Sequence, residues 1–449
     1  MSKEKIYELL KNYGQEHIIK YIELLDENEK DVFIQNLSAM NLELVFSLYE
    51  EFSRSSSAEV KKHREIKPHP IIDIEKLRAR KSEILPAGEE CIRKGETAVM
   101  IVAGGQGSRL GYPYPKGMYP ISPLKSKSLF QIFSEKVLAL SLRYKVNIPL
   151  LIMTNPETNQ IIKDFFIENN FFGLEEKNVL FFNQEVLPSL TPDRKLIIKD
   201  KTTIFANPDG HGGSLKAVWK TGLIDRLESQ GVKRIFYCHI DNPLVNVDDP
   251  LFLGWHIKEG AEFSLKVVKK RNAEEKVGHF VMTNGKPCII EYIEFPEELR
   301  NKKDENGNLI FWAGSIGIHF IETSFIRKLN KDGFALPYHR QVKKTKLNDK
   351  EIEVWKFETF VFDALPFADR VCCVETLREE EFAPLKNKEG EDSPEEVKQA
   401  MLNFYRRQLT DAGIKVSPDV RVEISPLCDI KNQAEKLKGT EITKDTYLE

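Results

Sequence analysis

Apolar residues recur at helical spacing along the first fifty positions: Ile6, Leu9 and Leu10, then Ile18, Ile19, Ile22 and Leu25, then Leu44, Val45 and Leu48. Such spacing gives each helix one face to bury. The stretch 53–70, with SRSSS and KPHP, breaks the rhythm and reads as a linker. Beyond it the pattern shifts to short, continuous apolar runs at 98–102, 149–154, 178–182, 234–240 and 262–268. Runs of that length without polar alternation fit strands buried on both faces. Helical patterns separate them, at 128–144, 158–169, 214–229 and 250–259. Strands alternating with helices predict a mostly parallel sheet covered by helices on both faces.

Further along, the character changes. Residues 279–282 and 287–292 flank Asn284-Gly285, the pair that favours a type I′ hairpin turn. Strand patterns near 315–320 and 371–376 predict a mixed or antiparallel extension of the sheet. A helix is expected from about 394 to 412, with Ser393 as its N-cap and Gly413 beyond its end. The alternation in VRVEI at 420–424 marks a small β-rich tail. The expected organisation is a helical region over 1–85, an α/β main domain over 86–390, and a C-terminal helix with its tail over 391–449. No internal repeat is visible.

Composition narrows the partners. With 449 residues there is chain enough for one large core and smaller appended parts. A net charge of −3 argues against broad nucleic-acid binding, which needs a basic face. The cluster Lys61, Lys62, His63 and Arg64 reads as a solvated linker. No apolar segment approaches the length of about 20 residues that spans a bilayer, and MSKEKIYELL lacks the apolar core of a secretory signal. Six cysteines, at 91, 238, 288, 372, 373 and 428, form no C-x-x-C pair. Reduced thiols in a cytoplasmic protein are the simplest reading.

The densest chemistry lies in Ala98–Gly117, AVMIVAGGQGSRLGYPYPKG. A buried strand opens into a loop with glycines at 104, 105, 107 and 111, and Arg109 and Lys116 stand within it. Exposed backbone N–H groups followed by fixed positive charge describe a cradle for a polyphosphate. It is not the dinucleotide fingerprint, because Leu110 stands where the third glycine belongs. It is not the Walker loop either, because Lys116 precedes Gly117.

Other polar residues fall at predicted strand exits, where α/β sheets gather their ligands. FYCHI ends in Asp241-Asn242, and a carboxylate there can serve a hard divalent cation alongside substrate phosphates. Asn207 to Gly213, NPDGHGG, bares backbone before a helix; by itself it could equally be a flexible turn. Gln184 follows a strand and could offer its amide to a base edge, or simply to solvent.

Together these motifs resemble the eukaryotic-type UDP-sugar pyrophosphorylases, uridylyltransferases that join UTP to a sugar 1-phosphate. The UDP-N-acetylhexosamine branch carries AGGQGTRLG and PKGM, matched by Ala103–Gly111 and Pro115–Met118 with Ser108 for threonine. Its P-D-G-N-G-G is matched by Pro208–Gly213 with His211 for asparagine, and its V-D-N by Ile240-Asp241-Asn242. The likeness continues through Val277-Gly278, Glu291-Tyr292, Phe360–Asp363, Pro384–Asn387, GQEH at 14–17 and AMN at 39–41. It therefore runs through nearly the whole chain in order.

The resemblance implies a GT-A-like α/β fold and a role for each matched position. Ala103, Gly104 and Gly105, with Gln184 and Gly210, would hold the uridine. Arg109 and Lys116 would grip the UTP phosphates, and Lys386 would reach them from the far side. Asp241 would hold Mg²⁺, or Mn²⁺, which shares its oxygen ligands. Gly278 and Glu291 would contact sugar hydroxyls. The family has asparagines near the sugar where this chain has His211 and Ser315. Fold and reaction survive those changes, but the choice of sugar turns on them: N-acetylglucosamine 1-phosphate is the first expectation and glucose 1-phosphate the alternative. A nucleotide-sugar-binding regulator without catalysis is the reading from another class, opposed by the joint presence of Arg109, Lys116, Asp241 and Lys386. A glycosyltransferase would want an Asp-x-Asp motif where this chain has Asp241-Asn242-Pro243.

Overall fold

The continuous apolar runs become the strands of a ten-stranded mixed sheet among the described residues of the computed structural model, which are 3–54, 65–347, 350–437 and 439–449. Thr97–Val102 lies between two parallel neighbours, Leu150–Thr154 and Arg234–His239, in a register that sets Val99 beside Leu150 and Phe236. Val179–Asn183 continues the parallel part beyond Leu150–Thr154. On the other side Ala313–Glu322 runs antiparallel to Arg234–His239 and to Phe263–Lys269, and the latter takes Val371–Glu375 as a parallel partner. His279–Thr283 meets Ala313–Glu322 at Gly314 and pairs with Lys286–Ile290. Asn284 and Gly285 both have positive φ, as a type I′ turn demands.

Helices cover the sheet where the patterns place them. Leu129–Tyr144 is capped by the Ser128 hydroxyl, which accepts from Gln131 N–H at 3.1 Å. It buries Phe130, Phe133 and Val137 in one core with Val99, Ile101, Ile152 and Phe236. Pro250–Glu259 starts at the Asp249 cap and stops at Gly260, which is left-handed. Two expectations change. The helix expected over 214–229 forms as Gly213–Lys220 and Leu223–Ser229, because Gly222 adopts φ +73 and interrupts it. Within the expected linker, Ile66–Pro68 instead forms a strand on the edge of the sheet, against Val281–Thr283. The basic cluster at 61–64 lies outside the described residues.

Two compact units result. The larger consists of Glu65–Asn183, Val218–Gly333 and Leu365–Glu449, and holds the sheet. Its tail is the helix Pro394–Asp411 followed by Val422–Ile424 paired parallel to Thr446–Leu448. The smaller consists of Met1–Arg64, Gln184–Ala217 and Phe334–Ala364. There the four amphipathic helices between Lys3 and Arg54 bury their apolar faces around Leu190, Leu196, Ile204 and Phe357. GQEH has a physical purpose in that unit. The buried Gln15 carboxamide donates to Arg194 O and accepts from Leu196 N–H, each at 2.9 Å, and the His17 ring meets Leu196 O at 2.9 Å. Asn41 of AMN caps the helix Leu42–Arg54 by accepting from Leu44 N–H. Among the described residues no helix is long and apolar enough to cross a membrane.

Phe166 is fully buried, with the rings of Phe130, Phe172 and Phe181 edge-on within 5.3 Å. Phe166→Ala should cost about 3–5 kcal/mol, read as a lower urea midpoint, because a rigid aromatic cluster collapses poorly into the cavity.

Candidate active site

Parallel strands release their carboxyl ends at one edge, so the exits of Thr97–Val102, Leu150–Thr154 and Arg234–His239 bring three polar segments together in the larger unit. The first is the glycine loop. Asn155, at the exit of the second strand, is buried and donates from Nδ2 to Gly104 O at 2.6 Å. Its Oδ1 meanwhile accepts from Glu157 and Thr158 N–H. The loop then folds on itself: Gly107 N–H reaches Tyr114 O and Lys116 N–H reaches Gly105 O, both at 3.1 Å. A Cβ on Gly107 would lie 2.6 Å from Tyr114 O, so the turn admits no side chain there. Arg109 stands exposed on the short 3-10 turn Ser108–Leu110.

Lys116 points back into the sheet edge. Its ammonium donates to Leu385 O at 3.1 Å and to Asp241 Oδ2 at 3.4 Å. Leu385 N–H in turn donates to Asp241 O at 2.7 Å; the next residue, Lys386, sets its ammonium 3.4 Å from Asp392 Oδ2 and acts on Asp241 electrostatically. Burial works against ionisation of Asp241, but Lys116, His239 and Lys386 outweigh it and hold the carboxyl below its ordinary range. His239 is a neighbour of Asp241 that motif reasoning missed; its signal was a polar ring in the apolar run FYCHI. Burial presses this imidazole toward its neutral form, and Lys116 and Lys386 push the same way against Asp241. It lies over Gly317, where a Cβ would come within 2.9 Å of the ring. The antiparallel register shifts between Ser315 and His319, around that glycine.

Gly278, Glu291 and Ser315 also converge in this unit. Ser315 N–H donates to Gly278 O at 2.9 Å, and a Cβ on Gly278 would stand 3.4 Å from Glu291 Oε1. Beside them the His279 ring stacks on Phe295 at 3.9 Å and meets Lys270 Nζ at 2.6 Å. Burial, Lys270 and Arg300 together press His279 down to about 3. Burial carries Lys270 down to about 8.

Gln184, Gly210 and His211 belong to the smaller unit. Gln184 is buried. NPDGHGG lies against Glu358–Val361: Gly212 N–H donates to Thr359 O at 2.9 Å, and Thr359 N–H to Asp209 O at 2.7 Å. Gly210 has φ +86, and a Cβ on Gly212 would lie 2.7 Å from backbone atoms of Phe360. Val361 N–H donates to His211 Nδ1 at 3.1 Å, so Nδ1 is the acceptor and the ring proton sits on Nε2. Phe360 stacks between the imidazoles of His211, at 5.3 Å, and His339, at 4.6 Å.

Among the described residues no cluster of three or more His, Cys, Asp and Glu could hold a metal ion. Asp241 fits a cation that takes one carboxylate from the protein and its other oxygens from phosphates. An ionised acid among ammonium groups beside a loop of bare N–H donors is suited to a polyanion and its counter-ion.

Comparison with known proteins points the same way. Residues 42–441 match the family model described as UTP–glucose-1-phosphate uridylyltransferase. The chain is 37% identical over 385 residues to the UDP-N-acetylglucosamine pyrophosphorylase of Saccharomyces cerevisiae, covering 80% of each. It is 32% identical over 450 residues to a probable UDP-N-acetylglucosamine pyrophosphorylase of Dictyostelium discoideum, covering 94% of this chain and 92% of that one. The crystal structure of the Trypanosoma brucei UDP-N-acetylglucosamine pyrophosphorylase in complex with inhibitor superposes with a TM-score of 0.83, at 25% identity and 99% coverage of both chains.

Asp209 generates a prediction of its own. Both its carboxylate oxygens are buried without a hydrogen-bond partner among the described residues. Burial first, and Glu185 next, push the acid from 3.8 up to about 7, against Lys216. A raised folded pKa means that Asp209 favours folding below pH 4 and penalises it increasingly as pH rises through 7. Asp209→Asn should therefore gain thermal stability over wild type at pH 8.5 and lose that advantage at pH 5, as read from paired melting curves.

Proposed function

Because this chain belongs to the UTP–glucose-1-phosphate uridylyltransferase family of UDP-sugar pyrophosphorylases, we propose that it forms a UDP-sugar and pyrophosphate from UTP and a sugar 1-phosphate. The observation that carries the reading is the Lys116 ammonium shared between Asp241 and Leu385 O, with Lys386 next in the chain. The sugar phosphate needs no strong base, since its second pKa of about 6 leaves it largely dianionic near neutrality. Its oxygen attacks the α-phosphorus of UTP, the bond to the bridging oxygen breaks, and pyrophosphate leaves. Catalysis is then a matter of alignment and of offsetting charge.

The main-chain groups of Ala103, Gly104 and Gly105, with Gln184 and Gly210, hold the nucleotide in this reading. Arg109 and Lys116 stabilise the departing pyrophosphate, and Lys386 offsets repulsion between the two anionic substrates. Asp241 is the residue that would hold Mg²⁺, which when bound supplies further positive charge to the phosphate oxygens. Gly278, Glu291, Ser315 and His211 are the candidates for contact with the sugar. A cytoplasmic setting belongs to the same proposal, supported by six cysteines that all remain free thiols.

The names of the relatives favour N-acetylglucosamine 1-phosphate as the substrate. Glucose 1-phosphate is the alternative, because His211 and Ser315 stand where the family has asparagines, and the His211 Nδ1 acceptor is already taken by Val361 N–H.

Pyrophosphate release measured with UTP, Mg²⁺ and each sugar 1-phosphate in parallel tests the reading. Lys116→Ala, Arg109→Ala and Lys386→Ala should each lower kcat about tenfold or more while the melting temperature stays near that of wild type. Wild-type turnover in any of them removes that residue from the machinery. The double substitution His211→Asn with Ser315→Asn should raise kcat/KM for N-acetylglucosamine 1-phosphate relative to glucose 1-phosphate; an unchanged ratio would show that these positions do not read the sugar.

A further inference from the structure

Asn242 touches none of the groups assigned to substrate, yet its carboxamide is buried at the centre of the site's framework, 2% exposed. From Nδ2 it donates to Glu381 O at 2.7 Å, and at Oδ1 it accepts from Ala383 N–H at 3.0 Å. The segment that it grips, Phe382 to Asn387, has no regular secondary structure. No ladder satisfies its backbone, so single bonds from side chains and neighbouring loops decide where it runs. That segment delivers Leu385 O to the Lys116 ammonium, and Lys386 comes next.

Resting on the uridylyltransferase reading, we propose that Asn242 is a positioning residue for the transfer reaction, clamping residues 381–383 so that Lys386 is presented beside Asp241. Two adjacent residues thus divide the work: the Asp241 carboxylate faces Lys116, and the Asn242 carboxamide faces the backbone that carries Lys386.

Both ends of the clamp are anchored independently of Asn242. At one end the Glu381 carboxylate takes the buried Lys266 ammonium at 2.6 Å and the Thr376 hydroxyl at 2.8 Å, and Lys266 also meets Asp249 at 2.7 Å. At the other end Lys136 donates to Pro243 O at 2.6 Å and to Val245 O at 2.7 Å, which pins the strand exit. The glycine loop is held separately, by Asn155. Loss of the Asn242 amide therefore frees residues 381–383 and leaves the following stretch held only at Leu385, by Lys116 and Asp241 O, and at Lys386, by Asp392, with the surroundings in place. A misplacement of about 1 Å in a catalytic group can cost about a hundredfold in rate.

The test compares wild type with Asn242→Asp, Asn242→Ala, Lys386→Ala and the double variant Asn242→Ala/Lys386→Ala. Asn242→Asp keeps the size and the acceptor for Ala383 N–H but turns an oxygen toward Glu381 O, so it stays informative if the alanine variant fails to fold. Steady-state kinetics, UTP binding by calorimetry and unfolding midpoints are measured on each full-length protein. The expected result is a kcat at least about tenfold lower in both Asn242 variants, with UTP affinity within about threefold of wild type. The double variant should be no slower than Lys386→Ala alone, because a clamp with no lysine to present has nothing left to contribute. Multiplicative losses in the double variant overturn the proposal. So does wild-type kcat per folded molecule in Asn242→Asp, whatever its midpoint. Absence of turnover in wild type itself, with every hexose 1-phosphate, would overturn the uridylyltransferase reading and the positioning role with it.

Discussion

One ammonium group bonds two acceptors from distant parts of the chain, and much of the larger unit's geometry answers to it. Lys116 reaches the Asp241 carboxylate and the Leu385 carbonyl together. For its Nζ to arrive there the glycine loop must double back, which explains why a Cβ on Gly107 would lie within 3 Å of two carbonyl oxygens and why Gly117 leaves its Cβ space to the Phe130 ring. The same bond requires the 381–386 stretch to approach the exit of Arg234–His239. A buried triad of Lys266, Asp249 and Glu381 stands behind that approach.

The electrostatic logic follows from placing one acid among several cationic or ionisable groups. Desolvation pushes Asp241 toward its neutral form, and the flanking charges of Lys116 and Lys386 pull it back below its ordinary range. A site so arranged has a fixed negative oxygen for a hard cation and fixed positive charge for phosphate oxygens, and each supports the other. His239 completes the set as a ring that burial presses toward its neutral form and Asp241 pulls the other way. The contrast with Asp209 is instructive. Buried with no hydrogen-bond partner among the described residues and with Glu185 nearby, that acid is pushed up rather than down.

The smaller unit shows what the N-terminal helices are for. Their apolar faces do not form a separate bundle but close over segments 184–217 and 334–364, and Gln15 and His17 fasten the turn at 194–196. The loop that carries Gly210 and His211 is held in that unit by Thr359 and Val361. The helical region thus supports residues assigned to the ligand, which its amphipathic pattern could not reveal.

How much was legible beforehand can be argued from particular residues. The strands at the sheet's centre were readable because burial on both faces leaves an unbroken apolar run, and the Asn284-Gly285 turn because few other residues accept two positive φ values. That Lys116 and Asp241 are candidates for one site was readable because charge beside glycines, or at a strand exit, has few structural uses. The break at Gly222 and the edge strand Ile66–Pro68 were not, since each is decided by what packs or pairs against it. Nor were the roles of Asn155 and Asn242: a buried amide looks like any other amide until the backbone that it binds is in place. By itself the sequence determined the alternating α/β order, the glycine-rich loop with its lysine and the carboxylate at the strand exit, because periodicity and residue chemistry are local. Only the tertiary structure decided that Lys116, Asp241 and Leu385 meet, and that three separated segments build one smaller unit, because those outcomes depend on contacts between residues far apart in the chain.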